Sequence, residues 1–153
     1  MKDEFFPNTN KNQLFERGYL SLHSAHSRGS TVDLGLVPSA LRTPPTFDAA
    51  MPLLPCTAPK GMRFDDGTID LGTGYDCLDP LASTNNPDVS REAHLHRILV
   101  KRVMQRYGFR SYPREWWHFT FLDEPFPGQS FDFPIVARNA AARAETVHQE
   151  RPE

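Results

Sequence analysis

The sequence predicts a single α+β domain in which an amphipathic helix covers a sheet, and three stretches carry that expectation. Ser30 to Val37 alternates polar and apolar residues, Ser90 to Tyr107 repeats apolar residues every three or four positions, and Trp116 to Leu122 is dense in aromatics. Alternation with period two marks a half-buried strand, and a period near 3.6 marks a helix with one apolar face. The 153 residues suit one domain, since domains run to roughly 100–200 residues.

In chain order, a helical turn is expected from Asn10 to Arg17, stopped by Gly18. The strand at 30–37 follows. Prolines at 38, 44, 45, 52, 55 and 59 then remove backbone donors and fix φ, so a long surface excursion is expected there. Thr68 to Leu71 reads as a short strand pairing with the first. Ser90 is the predicted N-cap of the long helix, and Gly108 its terminator. Leu95, Ile98, Leu99, Val103, Met104 and Tyr107 should face the sheet, leaving Arg91, Glu92, Arg97, Lys101, Arg102, Gln105 and Arg106 solvated. A buried strand at 116–122 closes the domain, taken as residues 1–137, and 138–153 reads as a flexible tail without a useful apolar stripe.

Composition narrows the function. Hydrophobic residues at 39% and charged residues at 24% support a packed core, and a net charge of −2 gives no general attraction to nucleic acid or anionic membrane. No apolar run approaches the ~18 residues that span a bilayer. The first residues lack the apolar core of a signal peptide, so a cytoplasmic protein is expected, or a periplasmic one if the true N-terminus lies upstream. Cys56 and Cys77 form no C-x-x-C pair; a reduced compartment is the plainer expectation, with no catalytic role for either thiol. Oligomeric state is not legible.

Chemistry concentrates in two places. His26 and Asp33 flank Ser27-Arg28-Gly29-Ser30, where Gly29 can supply the left-handed conformation of a tight connection. A reversal there lets both side chains point at one centre, although a turn histidine and a strand aspartate also occur together for purely structural reasons. Glu115-Trp116-Trp117-His118 adds a second imidazole and another carboxylate. Three nitrogen and oxygen ligands with one open position describe a catalytic zinc site, and His26, Asp33 and His118 would supply them. Glu115 would then move a proton between water and leaving group. That requires a bend, because residues three apart in an ideal strand face opposite sides. Standing alone, Glu115 would equally be an exposed strand-edge carboxylate beside core tryptophans. His23 reads as a neighbour of the site, His94 and His96 do not share a helix face, and His148 belongs to the tail.

Ser24-Ala25-His26-Ser27-Arg28-Gly29-Ser30-Thr31-Val32-Asp33 resembles the S-x-H-x-x-G-x-A-x-D motif of the zinc D-alanyl-D-alanine dipeptidases, the VanX-like members of the D,D-peptidase and Hedgehog-type fold group. Glu115-Trp116-Trp117-His118-Phe119 resembles their E-W-W-H-[YF] signature, Leu71 to Asp76 their M-G-T-x-F-D segment, and Asp123 to Pro127 with Phe131 to Pro134 their D-E-P-[YF]-P and F-D-F-P blocks. The resemblance runs from about Phe5 to Val136. It implies an α+β fold with a central antiparallel sheet, flanking helices and zinc on one face. It assigns His26, Asp33 and His118 to one Zn2+ and Glu115 to general base and acid. Asp76 would pair with the ammonium of a small D,D-dipeptide, and Ser24 would hydrogen-bond the substrate.

The implied activity is hydrolysis of D-Ala-D-Ala in cell-wall peptide metabolism or glycopeptide resistance. Thr31 stands where the motif usually has Ala, and no Tyr-Arg-Pro occurs to match the family's N-terminal stretch carrying a transition-state arginine. Arg28, Arg42 and Arg63 are not nominated by spacing as replacements. The chain therefore reads as N-terminally short and weakly active, and the alternative to an active dipeptidase is a metal-binding, catalytically impaired remnant.

Overall fold

A computed structural model describes residues 2–40, 46, 50, 52, 54–132 and 134. Much of the proline-rich excursion, Arg42 and the predicted tail lie outside those residues. Among the described residues the fold is α+β, with a three-stranded antiparallel sheet in the order β1-β3-β2: β1 Thr31–Asp33, β2 Phe109–Ser111 and β3 His118–Phe121. The register sets Asp33 opposite His118 and Thr31 opposite Thr120, while Phe109 faces Phe121 across the other edge. Alternation therefore puts Asp33 and His118 on the same face of the sheet. Thr31 is accommodated where a smaller residue was expected, because its Oγ1 lies 3.0 Å from Thr120 Oγ1.

The core lies beneath the segment before β3. Trp116 and Trp117 are each 1% exposed and pack with Leu71, Ala82, Cys56 and Cys77, against which Tyr75 and Leu78 rest. Both tryptophans sit in a turn, so the strand starts two residues later than the aromatic run predicts. Trp116 Nε1 donates to Thr73 Oγ1 at 2.8 Å, which lets the large indole be buried without an orphaned donor.

The long helix, α2 (Arg91–Arg106), forms where predicted. A four-residue helix at the N-terminus, α1 (Lys2–Phe5), was not foreseen. Ser90 Oγ caps α2 by accepting from Ala93 N at 3.1 Å, and Gly108 follows its end at φ 82°. The buried face differs from the expectation. Ala93, Arg97 and Val100 face inward, whereas Leu95, Leu99, Val103 and Tyr107 are 46–69% exposed. Arg97, expected in solvent, is fully buried. The reason is local: loop carbonyls of Leu71, Leu81 and Ser83 lie beneath the helix, and Arg97 donates to them at 2.6–2.9 Å. Apolar side chains could not satisfy those acceptors.

Two further expectations are corrected. Thr68 to Leu71 forms no strand, and one backbone bond, Ile69 N to Leu36 O at 2.8 Å, links it to the stretch after β1. Aspartate side chains compete for its amides: Asp66 accepts from Thr68 N and Asp70 from Gly72 N, each at 2.9 Å. Second, Cys56 and Cys77 are joined in a disulfide and are 5% and 0% exposed, so the end of the proline-rich excursion is drawn into the body. Cys56 N also donates to Glu4 O at 3.0 Å and Leu78 N to Phe5 O at 2.7 Å, which joins α1 to both sides of the bridge.

Candidate metal and catalytic site

His26 lies in a 3₁₀ turn, Ala25–Arg28, capped by Ser24, whose Oγ accepts from His26 N at 3.3 Å. Gly29 reverses the chain at φ 73°, a conformation open to glycine at little cost. The reversal delivers the chain into β1, which ends at Asp33. On the other side, Pro113 and the tryptophan turn bend the backbone before β3, so Glu115 and His118 approach one another instead of facing apart. Glu115 Oε2 lies 3.3 Å from His118 Nδ1.

The imidazoles converge on one carboxylate oxygen. His118 Nδ1 is 3.2 Å and His26 Nε2 3.5 Å from Asp33 Oδ1, and the two ring nitrogens are 3.4 Å apart. Asp33 Oδ1 is nonetheless buried without a partner of hydrogen-bond geometry. A buried carboxylate oxygen in that state is costly, and a cation between these atoms would satisfy it. One donor atom each from His26, Asp33 and His118 lies within 4.8 Å of the others, so the set fits a metal ion.

All six residues singled out from the sequence, Ser24, His26, Asp33, Asp76, Glu115 and His118, line one cavity of about 910 Å³. Its electrostatics are dominated by carboxylates. Burial alone would lower the His118 pKa, but the nearby carboxylates of Asp33 and Glu115 push it up to about 9. Burial raises Asp76 to about 6, and the charges of Asp33 and Glu115 reinforce the shift. Asp76 adopts φ 56°, a left-handed conformation uncommon outside glycine. The cavity thus gathers three carboxylates, Asp33, Asp76 and Glu115, around the imidazoles of His26 and His118.

Sequence reasoning missed Tyr112, which lines the cavity. Its ring packs on His118 with centroids 5.4 Å apart, and its hydroxyl donates to Gly18 O at 2.7 Å, tying the loop before the His26 turn to the far wall. Its place in the unforeseen stretch after β2 concealed it. His23 lines the cavity outside the ligand cluster. Arg28 pairs with Glu124, and Arg63 with Asp70 and the Ala58 carbonyl; neither lines this cavity.

A family profile described as D-ala-D-ala dipeptidase matches residues 60–136. The chain belongs to this family. The profile covers Asp76, Glu115 and His118, whereas His26 and Asp33 precede it. The chain is similar to the D-alanyl-D-alanine dipeptidase of Streptomyces coelicolor, at 37% identity over 135 residues, which is 88% of this chain and 55% of that protein. It is also similar to those of Enterococcus faecium, at 28% identity, and Enterococcus faecalis, at 27%, each over 88% of this chain and 54% of the relative. The chain thus spans about half the length of the curated relatives it matches. None of the described helices is long and apolar enough to cross a membrane.

Proposed function

We propose that this chain is a zinc-dependent dipeptidase acting on D-Ala-D-Ala, with one Zn2+ held by His26, Asp33 and His118. One observation carries the reading: two imidazole nitrogens converge on a buried, unpartnered oxygen of Asp33 in a cavity that Glu115 and Asp76 share. When bound, such an ion acts as a Lewis acid, acidifying water and polarising the scissile carbonyl. Ligands on one face of an antiparallel sheet also suit the Hedgehog and D,D-peptidase type of zinc fold.

Glu115 is the general base and then the general acid. It is 5% exposed, lies within reach of the ligand cluster, and can carry a proton from the attacking water to the leaving amine. Asp76 binds the free ammonium of the dipeptide, a cation that the surrounding carboxylates welcome. Ser24 contributes a hydroxyl at the cavity wall. Selection for a dipeptide follows from holding the free N-terminus, and the negative balance of the chain fits a small substrate rather than nucleic acid. The Cys56–Cys77 bridge supports an oxidising compartment over the cytoplasm, because disulfides are rare where glutathione keeps thiols reduced. Cell-wall peptide metabolism is the setting this substrate implies.

The test separates metal from proton transfer. Glu115→Gln should keep zinc while D-Ala-D-Ala turnover falls by ~10² to 10⁴, and His118→Ala should lose zinc. A Glu115→Gln protein with wild-type turnover, or one that loses its metal, would remove Glu115 from this role.

A further inference from the structure

We propose that Glu124 is a positioning residue for the metal site, acting through Arg28 and Ser30 to fix the His26 turn against the strand that bears His118. The inference rests on the metal-site reading above and gives a task to the Asp123-Glu124-Pro125 block. Glu124 follows the end of β3 by three residues. Its Oε2 accepts from Arg28 Nε at 2.7 Å and from the Ser30 hydroxyl, and its Oε1 accepts from Arg28 Nη2 at 3.2 Å. Arg28 Nη1 also donates to Gln129 O at 3.3 Å.

Arg28 stands two residues after His26, Ser30 three before Asp33, and Glu124 six after His118. One carboxylate therefore joins the elements carrying all three ligands. Phe121 N adds a bond to Ser30 O at 2.8 Å. A two-pronged arginine–carboxylate pair fixes plane as well as distance, and this one is well shielded, with side chains 12% and 16% exposed. Among the described residues the His26 turn has little else to hold it. Its own bonds are short-range, from His26 N to Ser24 Oγ, from Ser27 N and Oγ to Ser24 O and from Gly29 N to His26 O, and nothing lies within 4 Å of where a Gly29 side chain would begin. The His26 side chain is 38% exposed against 20% for His118, so packing restrains it least. Partners one step beyond the ligands commonly govern metal affinity by 10- to 100-fold.

The full chain, titrated with zinc against a competing chelator, tests this with Glu124→Gln and Arg28→Lys, the latter keeping the charge but losing the planar fork. Each should weaken zinc binding by about 10- to 100-fold with the circular dichroism and metal-free melting temperature of the wild type. The double variant should bind no more weakly than the weaker single variant, since both break the same tie. Unchanged zinc affinity in both singles overturns the proposal. So does weakened zinc binding that accompanies a lowered metal-free melting temperature, which would mark a general structural part. A wild-type chain that binds no zinc overturns the metal-site reading instead, so the two failures are distinguishable.

Discussion

Burial, and then the charges of Asp33 and Glu115, raise the cost of ionising Asp76, which a cation beside its carboxylate would relieve. For Asp76 the proposed relief is the substrate ammonium. Asp76→Ala should therefore raise KM by at least tenfold with a smaller change in kcat, as loss of a contact made equally in ground and transition states does; steady-state kinetics on D-Ala-D-Ala and on an N-acetylated analogue would show it. A fall confined to kcat would place Asp76 in the chemistry instead. The glycine reversal that turns His26 and Asp33 toward one centre was legible in the sequence, whereas the pairing of β1 with β3 that brings His118 beside them was not, and the resemblance implied that His118 joins them. Tyr112 was not legible either, since a lone tyrosine between β2 and Pro113 carries no spacing signal.

At the scale of elements, caps and turn residues were legible, whereas burial was not. Ser90 and Gly108 delimit α2 as expected, yet periodicity chose the wrong face, because the carbonyls that Arg97 satisfies belong to loops with no pattern of their own. Burial pushes the Arg97 guanidinium down to about 10, so it remains charged at neutral pH. Arg97→Met would strand three acceptors, each worth roughly 1–3 kcal/mol when orphaned. A loss of about 3 kcal/mol or more in urea unfolding is expected, and a loss under about 1 kcal/mol would show that water replaces the guanidinium.

Asp70 offers the pH counterpart within the same region. Burial opposes its ionisation, but the Gly72 amide and the Arg63 guanidinium outweigh that and hold its carboxyl below the ordinary range. A lowered folded-state pKa stabilises above the unfolded value, near ~3.9 for Asp, and the contribution disappears as pH falls through the folded value. The melting temperatures of wild type and Asp70→Asn should thus differ near neutrality and converge below about pH 3.9. A gap that is constant down to pH 2 would contradict this origin.

Across the whole molecule, the α+β class and the antiparallel sheet were foreseeable, but the sheet partner of β1 was not. Strand pairing depends on contacts far apart in sequence, and the aspartate-capped stretch at 66–72 looked like a strand only in its alternation. The disulfide was equally hidden, because two cysteines state nothing about their distance. It closes a separation of 21 residues and adjoins Asp76, so reduction should lower stability by about 3 kcal/mol, read as a reduced unfolding midpoint in dithiothreitol. An identical midpoint with and without reductant would show that the bridge does not constrain the chain. The central claim concerns the metal, and the most direct measurement is D-Ala release from D-Ala-D-Ala by the purified chain before chelation, after exhaustive chelation, and after return of zinc. The account predicts turnover that vanishes with the metal and returns in proportion to zinc up to one equivalent. Turnover that persists in demonstrably metal-free protein, or a chain that takes up one zinc and releases no D-Ala, would contradict it.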